Sequence, residues 1–169
     1  MAKFNKHWTD RTNAAELRGL TFCTQGGNLI SLDGGGKILV WDTTKWMPVN
    51  PQPKNCDVKI SSPPEPFVWR GDRHIVYTSV TEVLVKNLSK RTVKTLKGHK
   101  GLPSCITVLE GSNWVVSGGE DKTVCVWDLV DGKLVDQLEH NDWVTCVCVH
   151  PLGMLIAAGC RDKSVTVWK

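Results

Sequence analysis

One spacing constrains this chain more than any other feature. His99 and His140, Asp121 and Asp162, and Trp127 and Trp168 are each 41 residues apart, and both His-to-Trp intervals are 28. Unlike residue types that recur at one period, with no insertion, mark a repeated supersecondary unit. Within each unit the pattern is that of strands. Thr123-Val124-Cys125-Val126-Trp127 and Ser164-Val165-Thr166-Val167-Trp168 alternate with period two, as a strand buried on one face requires. Glu120-Asp121-Lys122 and Arg161-Asp162-Lys163 are polar turns ahead of those strands. Trp143 to Val149 alternates and stops at His150-Pro151-Leu152-Gly153, and Lys133 to Leu138 follows the Asp131-Gly132 turn. Each unit is then a twisted four-stranded sheet, which cannot bury both faces alone and must stack on neighbours.

A period near 41, with Gly98-His99 at the start and Trp127-Asp128 at the end, resembles the WD-repeat (WD40) family. The resemblance implies an all-β chain of WD40-type β-propeller blades. About four four-stranded antiparallel blades are expected over 16–62, 63–97, 98–138 and 139–169, as one domain over 1–169. Such propellers usually close with more blades than four, so the resemblance implies an incomplete ring, or one completed by a partner. Three arrangements would do this: two copies head-to-tail, blades from another subunit, or a longer chain of which this is a piece. Lys6-His7-Trp8-Thr9-Asp10-Arg11 is a candidate closing strand for the last blade, against a plain terminal tail.

The earlier units are degenerate. Leu29-Ile30-Ser31-Leu32 and Lys37-Ile38-Leu39-Val40-Trp41-Asp42 flank Asp33-Gly34-Gly35-Gly36. That triple glycine has no following helix and no Lys-Ser/Thr, so it is a hairpin turn and not a phosphate loop. Six of the eight prolines fall within 43–66, which marks a long connection. Cys56-Asp57-Val58-Lys59-Ile60 inside it alternates and is the expected outer strand of the first blade. Phe67-Val68-Trp69, His74 to Thr78 and Thr81 to Lys86 are the expected strands of the second, whose outer segment carries Lys86, Lys90, Arg91, Lys94, Lys97 and Lys100. These cations suit either a phosphate-binding stripe or the protection of a sheet edge, and edge protection is the favoured reading.

Carried over by position, the family's polar brace falls on His99, Asp121 and Trp127, and on His140, Asp162 and Trp168. The resemblance puts a Ser or Thr between the imidazole and the indole. On this alignment that position holds Gly119 in one repeat and Cys160 in the other, so the relay is expected to be incomplete or bridged by water. A His–Asp pair is also part of a catalytic triad, but no nucleophile accompanies these pairs and they repeat with the scaffold. Cys146, Cys148 and His150 share a strand face. Zinc sites usually use C-x-x-C knuckles, so packing explains the alternation better and no metal is assigned. No catalytic residue and no cofactor is assigned.

The net charge of +4 and pI near 8.7 permit an acidic partner without arguing for one. No apolar run approaches the length of a membrane span, and the N-terminal residues lack the apolar stretch of a secretory signal. Seven cysteines without paired spacings, most of them in strand patterns beside Val, fit reduced, buried small hydrophobes in an intracellular protein, cytoplasmic or nuclear.

In the family, partners dock where the loop entering the first strand meets the turn between the second and third. Those positions are Glu16, Arg18 and Gly34, then Leu102, Ser104 and Glu120, then Trp143, Thr145 and Arg161, with Ser61, Pro63 and Ser79 in the second blade. Trp143 with Arg161 is the favoured pair, because exposed Trp and Arg dominate binding hot spots. The expected function is a non-catalytic scaffold subunit that binds other proteins. The alternative is a ribonucleoprotein component using the basic segment 86–100, and a hydrolase built on His99 and Asp121 is the third.

Overall fold

A computed structural model describes residues 16–22, 28–45, 47–48, 67–70, 74–87, 90, 92–109, 111–153 and 155–169. Of Arg18, Met47, Pro48 and Phe67–Arg70 only the backbone is described. Fifteen strands and no helix occur among them. The first sheet holds β1 (Leu17–Phe22), β2 (Asn28–Asp33), β3 (Ile38–Asp42) and β4 (Met47–Pro48). The second holds β5 (Phe67–Arg70), β6 (His74–Ser79), β7 (Glu82–Asn87) and β8 (Thr92–Lys97). The third holds β9 (Pro103–Val108), β10 (Trp114–Gly119), β11 (Thr123–Asp128) and β12 (Lys133–Glu139). The fourth has three strands, β13 (Val144–Val149), β14 (Ile156–Cys160) and β15 (Val165–Trp168).

Every sheet is an antiparallel meander in chain order, and the described strands do not close the four sheets into a ring. The fourth strand of the first sheet is Met47–Pro48, paired with Trp41 and Asp42. The expected strand over Cys56–Ile60 lies outside the described residues, as do the candidate closing strand at Lys6–Arg11, Arg91, and Ser61 and Pro63. A proline is tolerated in β4 because an outer strand needs no donor on its solvent side.

The turns explain the matching registers of the last two sheets. Lys122 and Lys163, one period apart, both adopt left-handed backbone with φ of 64° and 71°. Asp121 and Asp162 hold these turns by accepting hydrogen bonds from the amides of Thr123 and Ser164. The sheets then stack face to face. Val76, Val83, Val85 and Leu96 of the second sheet pack with Val115, Cys125 and Trp127 of the third. The opposite face of the third, with Val116, Val124 and Val126, packs with Val144, Ala158 and Cys160 of the fourth. At this second contact a Cβ on Gly118 would lie 2.4 Å from Val144 Cγ1 and 2.8 Å from Cys105 Sγ, so the approach of the two sheets requires glycine.

Candidate functional site

The third sheet contains a complete polar brace. Trp127 Nε1 donates to Ser117 Oγ at 2.8 Å, Ser117 Oγ lies 2.8 Å from His99 Nε2, and His99 Nδ1 lies 2.8 Å from Asp121 Oδ2. The expected gap at Gly119 is therefore corrected: the hydroxyl comes from Ser117, two residues earlier. Glycine is required at 119 because a Cβ there would sit 2.8 Å from Asp121 Oδ1 and 3.0 Å from His99 Nδ1, inside the pair. Gly98 serves the same assembly, since its Cβ would meet Trp127 Cη2 at 2.7 Å.

Burial opposes charge on His99, but hydrogen bonds to Asp121 and Cys125 and the negative charge of Asp121 outweigh it and raise the imidazole to about 9. Burial likewise works against the Asp121 carboxylate. Hydrogen bonds from His99, the Lys100 amide and Thr123 prevail and lower it to about 2. The pair is charged at neutral pH, with both side chains shielded from solvent.

The fourth sheet departs from this arrangement. Ala158 stands where Ser117 would, so Trp168 Nε1 donates directly to His140 Nε2 at 3.4 Å. Accepting at Nε2 makes Nδ1 the protonated nitrogen of a neutral ring, and Nδ1 faces Cys160 Sγ at 3.3 Å. Asp162 turns to Ser164, accepting from its amide at 2.9 Å and its hydroxyl at 2.5 Å. The expected His140–Asp162 bond is replaced because Cys160 occupies the site that Gly119 leaves open in the third sheet. Burial lowers the His140 pKa, and the charge of Asp162 offsets this only in part. In the first sheet Trp41 Nε1 likewise donates to Ser31 Oγ at 2.9 Å. The serine stands ten residues before the tryptophan in both Ser31/Trp41 and Ser117/Trp127, a signal that would have located it.

The rim positions are brought together in pairs by one repeated backbone bond. Gly34 N donates to Glu16 O at 2.8 Å, Glu120 N to Leu102 O at 2.9 Å, and Arg161 N to Trp143 O at 2.8 Å. In the last pair the Arg161 guanidinium lies 4.8 Å from the Trp143 ring centroid, a cation–π distance, and Trp143 is 38% exposed. Ser104 donates to Val144 O and so ties the third sheet to the fourth, while Thr145 Oγ1 donates to Gly159 O within the fourth. Glu16 is exposed and Leu102 and Glu120 are half-buried.

The basic segment is divided in its uses. Lys94 Nζ crosses to the third sheet and donates to the carbonyls of Leu129 and Val130 at 3.1 and 2.8 Å. Lys97 lies 3.7 Å from Glu82. Lys90 and Lys100 are exposed. The expectation of buried, packed thiols is corrected at Cys146 and Cys148, which are exposed free thiols on β13, and no group of metal-ligating residues occurs among the described residues.

Residues 90–128 and 132–169 match the WD domain, G-beta repeat (WD40) family. The chain carries two WD repeats. Its repeats are similar to the small ribosomal subunit protein RACK1y of Oryza sativa subsp. japonica, at 39% identity over 75 residues, 43% of this chain and 22% of that protein. Elongator complex protein 2 of Saccharomyces cerevisiae is 30% identical over 48% of the chain and 10% of its own length. Ribosome biogenesis protein bop1-A of Xenopus laevis is 33% identical over 45% and 11%. The chain thus spans less than a quarter of each of these relatives. The solved structure of U3-55K superposes with a TM-score of 0.72 at 17% identity, over 94% of this chain and 50% of that one. At that identity the likeness concerns the fold, a WD-repeat propeller.

Proposed function

We propose that this WD-repeat chain is a non-catalytic scaffold subunit that binds other proteins through the loop rim, with Trp143 and Arg161 as its principal anchors. The supporting observation is the stacked, half-exposed Trp143–Arg161 pair, held by the backbone bond between the two residues. Stacking removes much of the conformational freedom that two long side chains would otherwise lose on binding. The His99–Asp121 pair supports a structural role and not hydrolysis, because both groups are shielded from solvent and already engaged with Ser117, Thr123 and Lys100. Membership of ribosomal, Elongator and ribosome-biogenesis proteins among the relatives supports an intracellular subunit, cytoplasmic or nuclear. Further blades, from another chain, a second copy or a longer chain of which this is a piece, are the natural neighbours of the exposed outer face of the fourth sheet.

Trp143→Ala is expected to abolish partner capture from native cells while leaving the far-UV spectrum and the thermal unfolding profile unchanged. Unfolding of the variant would place Trp143 in the core and remove the proposal. The names of two relatives also favour a ribonucleoprotein role for segment 86–100. That reading requires RNA binding with a steep salt dependence that disappears on charge reversal of Lys90, Arg91 and Lys94.

A further inference from the structure

A cavity of about 370 Å³ opens between the second and third sheets, at the end remote from the Trp143 rim. Among the described residues its polar lining is His74, Asn87, Lys90, Thr92, Lys94 and Asn113, with no carboxylate. Val85 and Leu129 contribute an apolar wall. The nearest acidic side chain in sequence to that wall, Asp128, is taken up by its own turn, accepting from the amides of Val130 and Asp131 at 2.7 and 3.2 Å.

Lys94 defines the chemistry of this space. A Cβ on Gly132 would lie 2.7 Å from Lys94 Cδ, so the lysine stem runs across a glycine. Two of its three N–H groups engage the Leu129 and Val130 carbonyls. The carbonyl wall is thereby satisfied, and an ammonium with a third donor remains on the cavity surface. Lys90 stands exposed at the mouth with its backbone anchored, its amide donating to Asn87 Oδ1 at 2.8 Å. Asn87 Nδ2 lies 2.8 Å from His74 Nε2, so the two ammonium groups and the Thr92 hydroxyl carry the complementarity to an anion with several oxygens. The volume lies in the range of small-molecule sites and exceeds what a bare phosphate would fill.

From this lining we infer that the cavity binds a phosphate monoester carried on a small organic group, with Lys94 and Lys90 on the phosphate and the Val85–Leu129 wall against the carrier. The carrier is either a free sugar phosphate or a phosphorylated side chain, since both present the same dianion. The site differs from the rim in location and in ligand chemistry, and does not depend on the scaffold proposal.

Titration calorimetry on the full chain tests it with inorganic phosphate, ribose 5-phosphate and a phosphoserine peptide as probes. Ribose 5-phosphate or the peptide is expected to bind with one-to-one stoichiometry and more tightly than inorganic phosphate, and the tighter of the two identifies the carrier. Lys90→Glu is expected to weaken that binding by at least about tenfold, the effect of losing one charge-assisted contact. Lys100→Glu, on the same segment but outside the cavity, is expected to leave it unchanged. Lys94→Met could loosen the sheet contact, so Lys90→Glu, at an exposed position, carries the test. Equal weakening by Lys90→Glu and Lys100→Glu would show diffuse attraction to a basic surface and overturn the inference. Absence of saturable binding by all three probes at millimolar concentration would overturn it as well.

Discussion

The third and fourth sheets are two readings of one 41-residue pattern, and they differ where the pattern is most similar. Val124 and Val126 are 0% and 4% exposed, whereas their counterparts Val165 and Val167 are 75% and 57% exposed. The residues are identical, and what separates them is a following sheet and the outer strand β12 beside β11. Trp127 is buried and tied to a serine, while Trp168 is half-buried and bonded to an imidazole. A repeat therefore specifies how its own strands pair, while its stability comes from its neighbours.

The strongest way to break this comparison is to truncate the two tryptophans. Trp127→Ala removes a fully buried indole and its hydrogen bond, and is expected to cost about 3–5 kcal/mol in urea unfolding. Trp168→Ala, at a half-buried site, is expected to cost roughly 1–2 kcal/mol. Equal losses would mean that the outer face of the fourth sheet is covered in solution.

The aspartates come next. Asp121→Ala leaves a buried imidazolium without its partner, for an expected loss of about 3 kcal/mol. Asp162→Ala removes two exposed turn bonds from Ser164 and should change the unfolding midpoint far less.

Titration separates the two histidines by sign. The His99 pKa is raised to about 9, so its contribution is fully present below pH 6.5 and is lost as the pH rises through about 9. The Asp121 pKa is lowered to about 2, so its contribution is present above 3.8 and fails only as the pH falls through about 2. The His140 pKa is lowered, so its site favours the neutral ring and loses stability as the pH falls below 6.5. In thermal melts from pH 5 to 10, His99→Ala should abolish the alkaline decline. His140→Ala should reduce the decline on the acid side. A shared sign would refute the neutral-ring assignment for His140.

The smallest effect is a repair. Ala158→Ser supplies the hydroxyl that the fourth sheet lacks, and its expected gain is within about 1 kcal/mol by chemical denaturation. A loss of stability would show that the direct Trp168–His140 bond leaves no room for it.

Strand positions in the last two repeats were legible because alternation and turn residues act locally, and the structure places β11 and β15 on the expected segments. The brace was legible only in part. His99, Asp121 and Trp127 stand out by recurrence, but Ser117 does not, since the next repeat holds Ala158 at that position. Likewise, the lysines of segment 86–100 form a uniform run in the sequence. Their division into a strut at Lys94, an ion pair at Lys97 and exposed cations at Lys90 and Lys100 depends on which sheet faces each one.

What the sequence determined by itself is the unit: its period, its four-strand build and the polar residues that lock its turns, all set by interactions between residues close along the chain. The tertiary structure decided which valines are covered, which histidine is charged and where a lysine spans two sheets. These follow from desolvation and from contacts between residues distant in sequence, and a repeating pattern is the same at every position in the stack while its surroundings are not.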